Sequence, residues 1–139
     1  MAEHDPYELA HQIDRLMRRI NAGVVVRAPV FDTERVGPIG GMILLTIAEV
    51  EPSPMQQIAD AMARDKAQLS RAVSMLERRG LVMKSPHASD QRSTLLRLTE
   101  KGHAFVQQIR ATLADVIDTA LEPLSPAERA QLLEMLSKL

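Results

Sequence analysis

Residues 80–98 read GLVMKSPHASDQRSTLLRL, and their reading decides the fold. Two runs rich in Leu and Val, 81–85 and 94–98, flank a polar stretch with Pro86, Ser89, Asp90 and Ser93. That pattern predicts two short strands joined as a hairpin. These are the only convincing strands in the chain. Asp90 and Arg92 stand two residues apart at the tip, with His87 nearby. A solvated turn needs no acid and arginine at that spacing; an element that reaches for something outside the protein has a use for both.

Helix starts surround the hairpin. "DPYE" (5–8), "SPMQ" (53–56) and "SPAE" (125–128) each place Asp or Ser at an N-cap, Pro at the first helical position and Glu or Gln at the third. "DKAQ" (65–68) repeats the box without the proline, "GPIG" (37–40) is a weaker start at Pro38, and Thr99 in "LTEKG" opens another. Apolar periodicity fills in the bodies. Ile13, Leu16, Met17, Ile20 and Val24 mark the first helix, and Ile43, Leu44 and Ile47 the second. Ile58, Ala61 and Met62 mark the third. Leu69, Ala72, Val73 and Leu76 line the fourth, which ends at Gly80. A long stripe runs from Phe105 to Leu121, and a last one from Leu132 to Leu139. "RAPVFDTERVG" (27–37) reads as an irregular connection.

The expected order is therefore four helices, a hairpin, a long helix and a final helix: mostly α with a small β-hairpin wing. At 139 residues this is a single domain. The stripes at 13–24, 105–121 and 132–139 are too long for a four-helix lobe to cover, so they call for a partner chain. Within the domain, 38–98 reads as a winged helix-turn-helix lobe, and 5–28 with 99–139 as dimerisation helices.

The helices expected at 54–63 and 66–79 are joined only by "RD" (64–65). A short helix, a tight turn and a second helix is the helix-turn-helix arrangement, whose second helix enters the DNA major groove. Away from its apolar stripe that helix presents Lys66, Ala67, Gln68, Ser70, Arg71 and Ser74, groups suited to base edges and phosphates. A plain helical hairpin would more often carry Glu and Lys pairs there. Ser53, Arg78, Lys84, His87, Asp90 and Arg92 complete the candidate contact set. Arg92 suits the narrow, electronegative minor groove, with Asp90 placed to aim it; a solvent-exposed turn with an incidental ion pair is the other reading of the same residues.

Charge points the same way. The net charge is −1, but residues 64–101 hold nine Lys/Arg against four Asp/Glu, a local +5 that leaves −6 for the remainder. Such asymmetry fits a polyanion-binding face in an otherwise acidic protein. The other reading of the lobe, a winged-helix module that docks protein without binding DNA, would more often present an apolar patch there.

Several functions have no residues to carry them. With no Cys there is neither a disulfide nor thiol chemistry. His4, His11, His87 and His103 lack the spacing of a metal site. No phosphate loop, nucleophile elbow or dinucleotide glycine pattern is present, so no enzymatic activity is expected. No apolar run is long enough to span a membrane. The polar, acidic N-terminus is not a signal peptide, and a cytoplasmic location is expected.

The run from Met62 to Gly102 also resembles the multiple-antibiotic-resistance-regulator (MarR) family of bacterial winged-helix transcription factors. The matching pieces are "SRAVSMLERRGLV", the wing "SDQRS" with its Asp-x-Arg, and "LTEKG". "LEPLSPAERAQLLEMLSKL" is similar to the family's closing segment. The resemblance implies a homodimer with interleaved first, fifth and sixth helices. It implies binding to a near-palindromic operator on double-stranded DNA, and repression released by a small aromatic or anionic effector, with no cofactor. It assigns Arg92 to the minor groove, Asp90 to orienting it, and Lys66, Gln68, Ser70, Arg71 and Ser74 to the major-groove helix. Gly40 and Gly41 depart from the family pattern, where Gln and an aromatic are common; they are expected to loosen that helix start and open space near the effector region.

Overall fold

The computed structural model describes residues 4–86 and 94–139. The order is α1 (Pro6–Phe31), α2 (Gly37–Val50), β1 (Ser53–Pro54), α3 (Met55–Ala61), α4 (Lys66–Arg78), β2 (Val82–Pro86), β3 (Thr94–Leu98), α5 (Glu100–Ala120) and α6 (Pro126–Leu136). The chain divides into two compact units. One is Pro29–Arg110; the other joins the chain up to Ala28 with Ala111–Leu139.

In the Pro29–Arg110 unit, α2, α3, α4 and the sheet enclose an aliphatic core. Ile43, Leu44 and Ile47 from α2 meet Ile58 from α3, Leu69, Val73 and Leu76 from α4, and Leu81, Val82 and Leu96 from the sheet region; all are buried. The α4 residues recur at i, i+4 and i+7, one face of a helix, so burying them turns the opposite face outward. β3 pairs antiparallel with β2, Val82 opposite Leu98 and Pro86 opposite Thr94. Leu96 and Leu98 point into the core while Arg97 between them faces out, as the two-residue period of a strand requires.

A third strand was not legible in the sequence. β1 pairs with the other edge of β3, Ser53 opposite Leu96, giving a three-stranded sheet in the order β1-β3-β2. This corrects the reading of "SPMQ" as a capping box. Ser53 lies in a strand, fully buried, and its hydroxyl donates to Gln57 Oε1 at 3.0 Å. Pro54 takes the N-cap position of α3 and supplies no side-chain bond. A two-residue strand carries no periodicity, and the cap residues masked it.

Other junctions also depart from expectation. The segment 27–37 is not irregular throughout: α1 continues to Phe31 with Pro29 inside it. Proline there forfeits one backbone bond near the helix end, and Phe31 meets Phe105 edge to face, ring centres 6.1 Å apart. The chain has only two phenylalanines, and their contact gives the last turn of α1 a buried partner. The link between α3 and α4 is four residues, Met62 to Asp65, with Ala63 in the left-handed region at φ +49°. Asp65 precedes α4 without a side-chain cap bond. In α3 the buried pair is Ile58 and Ala59, while Ala61 is exposed.

Of Gly40 and Gly41, only Gly40 is closely approached, and Gly41 has room for a side-chain carbon in ordinary contact. A Cβ on Gly40 would run into Val36 Cγ1 and come within 3.6 Å of Leu76; one on Gly41 would sit 3.6 Å from Ile109. Gly40 thus marks a close approach of the helix start to the loop before it.

Other caps fall where the sequence puts them. Asp5 Oδ1 accepts the Tyr7 amide at 2.9 Å, Thr99 Oγ1 the Gly102 amide at 2.9 Å and Ser125 Oγ the Glu128 amide at 3.2 Å. Gly80, at φ +74°, ends α4.

In the other unit, Val116 of α5 packs against Gly23 of α1, where an added Cβ would come within 2.7 Å of Val116 Cγ1. Arg129 of α6 pairs with Asp118 of α5. Val116 and Ala120 are buried, but neither α1 nor α6 buries a single residue fully. Tyr7, Leu9, Ile13, Met17, Leu133, Met135 and Leu136 are all exposed. Among the described residues no helix is long and apolar enough to cross a membrane.

Candidate nucleic-acid interface

α4 is short and strongly two-faced. From Lys66 to Leu76 it contains no acid, a composition that leaves its outer face positive. Lys66, Ala67, Gln68, Arg71 and Arg78 are exposed; Ser70 and Ser74 are half-buried. Ala67, Arg71, Ser74 and Arg78 follow one another at i, i+4, i+7 and i+11, so they share a stripe on the side away from Leu69, Val73 and Leu76.

The side chains of Lys66, Gln68 and Arg71 make no hydrogen bond or ion pair with another described residue. Polar side chains left unengaged on a rigid helix are available to an outside partner, and the ordering of the backbone beneath them is already done. Guanidinium and carboxamide groups present the paired donors, or donor and acceptor, that guanine and adenine edges match.

The basic character of residues 64–101 resolves into two groups. Arg64, Lys66, Arg71, Arg78 and Arg97 are exposed. Arg79, half-buried, and Lys101, exposed, are instead engaged by other groups of the protein. Arg79 donates to the carbonyls of Glu34 and Arg35, and Lys101 Nζ lies 2.7 Å from Glu34 Oε1. Lys84, exposed on β2, leans toward Glu77 at 3.8 Å. The outward field is therefore carried by fewer cations than the sequence count suggests.

Of the residues singled out from the sequence, Lys66, Ala67, Gln68, Ser70, Arg71, Ser74 and Arg78 sit together on α4, and Lys84 on β2. Ser53 does not join them: it is fully buried in β1 beside β3, with no exposed surface. His87, Asp90 and Arg92 lie outside the described residues. Two exposed cations, Arg64 in the α3–α4 turn and Arg97 on the outward side of β3, were counted as charge but given no role in the sequence reading. Period-two alternation through "LLRL" was the signal that would have placed Arg97 outside.

Comparison with known proteins agrees with this geometry. Residues 36–102 match the family described as "Winged helix DNA-binding domain". The chain is 25% identical to the HTH-type transcriptional repressor NicR of Pseudomonas putida, over 99% of this chain and 87% of that protein. Its fold superimposes on that of MarR from E. coli, in the apo form, with a TM-score of 0.78 at 21% identity, covering 99% of this chain and 98% of the other. It also matches BpsR of Bordetella bronchiseptica, whose DNA binding is regulated by 6-hydroxynicotinic acid, with a TM-score of 0.65 at 23% identity over 91% of this chain and 97% of the other. Residues 36–102 thus match a winged helix DNA-binding domain, and the chain as a whole has the fold of the MarR structure.

Proposed function

We propose that this protein is a repressor that binds a near-palindromic operator as a homodimer, reading bases with α4 and reaching the flanking minor groove with the hairpin. The observation that carries the reading is the exposed face of α4. Lys66, Gln68 and Arg71 are unengaged by other described residues, no acid interrupts them, and a solid aliphatic core lies behind. In this reading Arg71 pairs with guanine, Gln68 with adenine, and Lys66 with phosphate. Arg92 inserts into the minor groove with Asp90 as its orienting partner.

The homodimer reading is supported by the apolar side chains exposed along α1 and α6. Among the described residues no helix is long and apolar enough to cross a membrane, so a surface of that kind calls for a protein partner, and a second copy supplies the same stripes. The effector we assign is a small aromatic or anionic molecule that weakens DNA binding. The regulated binding of BpsR by 6-hydroxynicotinic acid, an aromatic acid, supports that class.

The test is selection of duplexes from a random pool by the full-length protein, followed by titration of the selected duplex at two salt concentrations. An inverted repeat with half-site centres about one helical turn apart is expected, together with a falling affinity as salt rises. Recovery of no sequence above the starting pool would contradict the proposal and favour a protein-docking wing.

A further inference from the structure

Arg79 and Lys101 belong to the basic segment, yet both are engaged by other groups of the protein. Arg79 follows the last residue of α4, and its guanidinium donates to two carbonyls of the loop that precedes α2, those of Glu34 and Arg35, the latter at 2.7 Å. Lys101, in the first turn of α5, closes the figure. Its ammonium donates to the Arg79 carbonyl at 3.0 Å and pairs with the Glu34 carboxylate at 2.7 Å. The loop is held from its other side by Asp32, whose two carboxylate oxygens accept the Val36 and Gly37 amides at 2.7 and 3.0 Å. Inside this frame Arg35 has φ +53°, a left-handed conformation that an L-residue keeps only where its surroundings hold it.

We propose that Glu34, Arg79 and Lys101 form a clamp that sets the position of the C-terminal end of α4, making DNA affinity depend on residues that do not touch DNA. It rests on the reading of α4 as the DNA-contacting helix. Three separate pieces of chain, the 32–36 loop, the end of α4 and the start of α5, meet at one ion pair and three donated hydrogen bonds. A single half-exposed ion pair contributes little stability. What this one can do is fix geometry: α4 is anchored in the core by Leu69, Val73 and Leu76 on one side only, and the clamp adds a polar anchor where the helix ends. Groups reading base edges have to be held to a fraction of an ångström, so a small tilt of α4 costs affinity before it costs fold.

The experiment separates the clamp from plain electrostatics by sign. The full-length protein and its variants are titrated by fluorescence anisotropy against the duplex that the unaltered protein selects, across a salt series. Circular dichroism and urea midpoints confirm that each variant is folded at the assay temperature. Glu34→Ala removes a negative charge from a DNA-binding unit, so electrostatics alone predicts tighter binding. The clamp predicts binding weaker by roughly three- to tenfold, with the slope of log affinity on log salt unchanged because no phosphate contact is lost. Lys101→Glu should weaken binding further, and the exchange Glu34→Lys with Lys101→Glu, which keeps the net charge, should restore most of the loss. Equal or tighter binding by Glu34→Ala, or an exchange variant no better than Lys101→Glu, overturns the clamp. Arg71→Ala is measured alongside. A loss there with none at Glu34→Ala overturns the clamp alone, whereas no loss at Arg71→Ala overturns the reading of α4 and the clamp with it.

Discussion

His103 Nε2 lies 2.8 Å from Glu51 Oε1, and the other oxygen of the same carboxylate accepts the Leu98 amide at 2.7 Å. One largely buried side chain at the end of α2 thus holds both the last residue of β3 and the first turn of α5. The Leu98 bond involves a backbone donor at the edge of the core, and leaving such a donor unpaired costs about 1–3 kcal/mol. Glu51→Ala should lower unfolding stability by about that much in urea denaturation, and Glu51→Gln by less, because its carbonyl oxygen keeps one acceptor. His103→Ala, on the exposed side of the pair, should cost under about 1 kcal/mol. Equal losses at all three would show that the Leu98 amide is not what Glu51 serves.

Ala63 and Gly80 both have positive φ, +49° and +74°, but only one is the residue type that such a backbone favours. The left-handed conformation costs an L-residue about 1–2 kcal/mol. Ala63→Gly should therefore raise stability, by somewhat less than that since glycine also enlarges the unfolded ensemble. Gly80→Ala should lower it by about 1 kcal/mol. Thermal midpoints moving in opposite directions are the expected result; a fall for both would mean the α3–α4 turn is unstrained.

Gly102→Ala should be far more damaging than Gly80→Ala. A Cβ at Gly102 would collide with the Leu81 backbone carbonyl, and lie 3.3 Å from Leu98 Cβ. Backbone cannot swing aside as a side chain can, and overpacking of this kind costs about 3 kcal/mol or more. Loss of soluble folded protein, or a urea midpoint far below that of Gly80→Ala, is the expected outcome. A near-native midpoint would show that the start of α5 can shift away from Leu81 freely.

The apolar side chains left exposed on α6 bear on self-association. Leu133 is 70% exposed and Leu136 56% exposed, so charge there should leave the isolated chain's fold intact. Leu133→Lys with Leu136→Lys should convert the protein to a folded monomer in sedimentation velocity and lower its affinity for a two-half-site duplex. An unchanged dimer would place the self-association surface elsewhere.

The sequence reading succeeded where one physical signal dominated and failed where two competed. Leu69, Val73 and Leu76 recur at helical spacing, so the extent of α4 and the side it buries were readable. β2 and β3 were readable from their Leu and Val runs. Ser53 was misread because Ser-Pro before Gln is a strong helix start, while the pairing of Ser53 with Leu96 spans more than forty residues of chain and leaves no local trace. Residues 27–37 were read as an irregular connection, yet α1 runs through Pro29 to Phe31, which meets Phe105. The pairing of Arg79 and Lys101 within the protein was hidden for the same reason: charge is visible in a sequence, but its partner, a loop at Glu34, is not.

The most direct test of the account is the affinity of Arg71→Ala for the selected duplex and for duplexes with single base pairs changed. If α4 reads bases, this variant should lose about 1–3 kcal/mol on the selected duplex. It should also cease to discriminate at one or two positions while keeping its preferences elsewhere. Wild-type affinity and unaltered discrimination at every position would contradict the assignment of α4 as the reading helix.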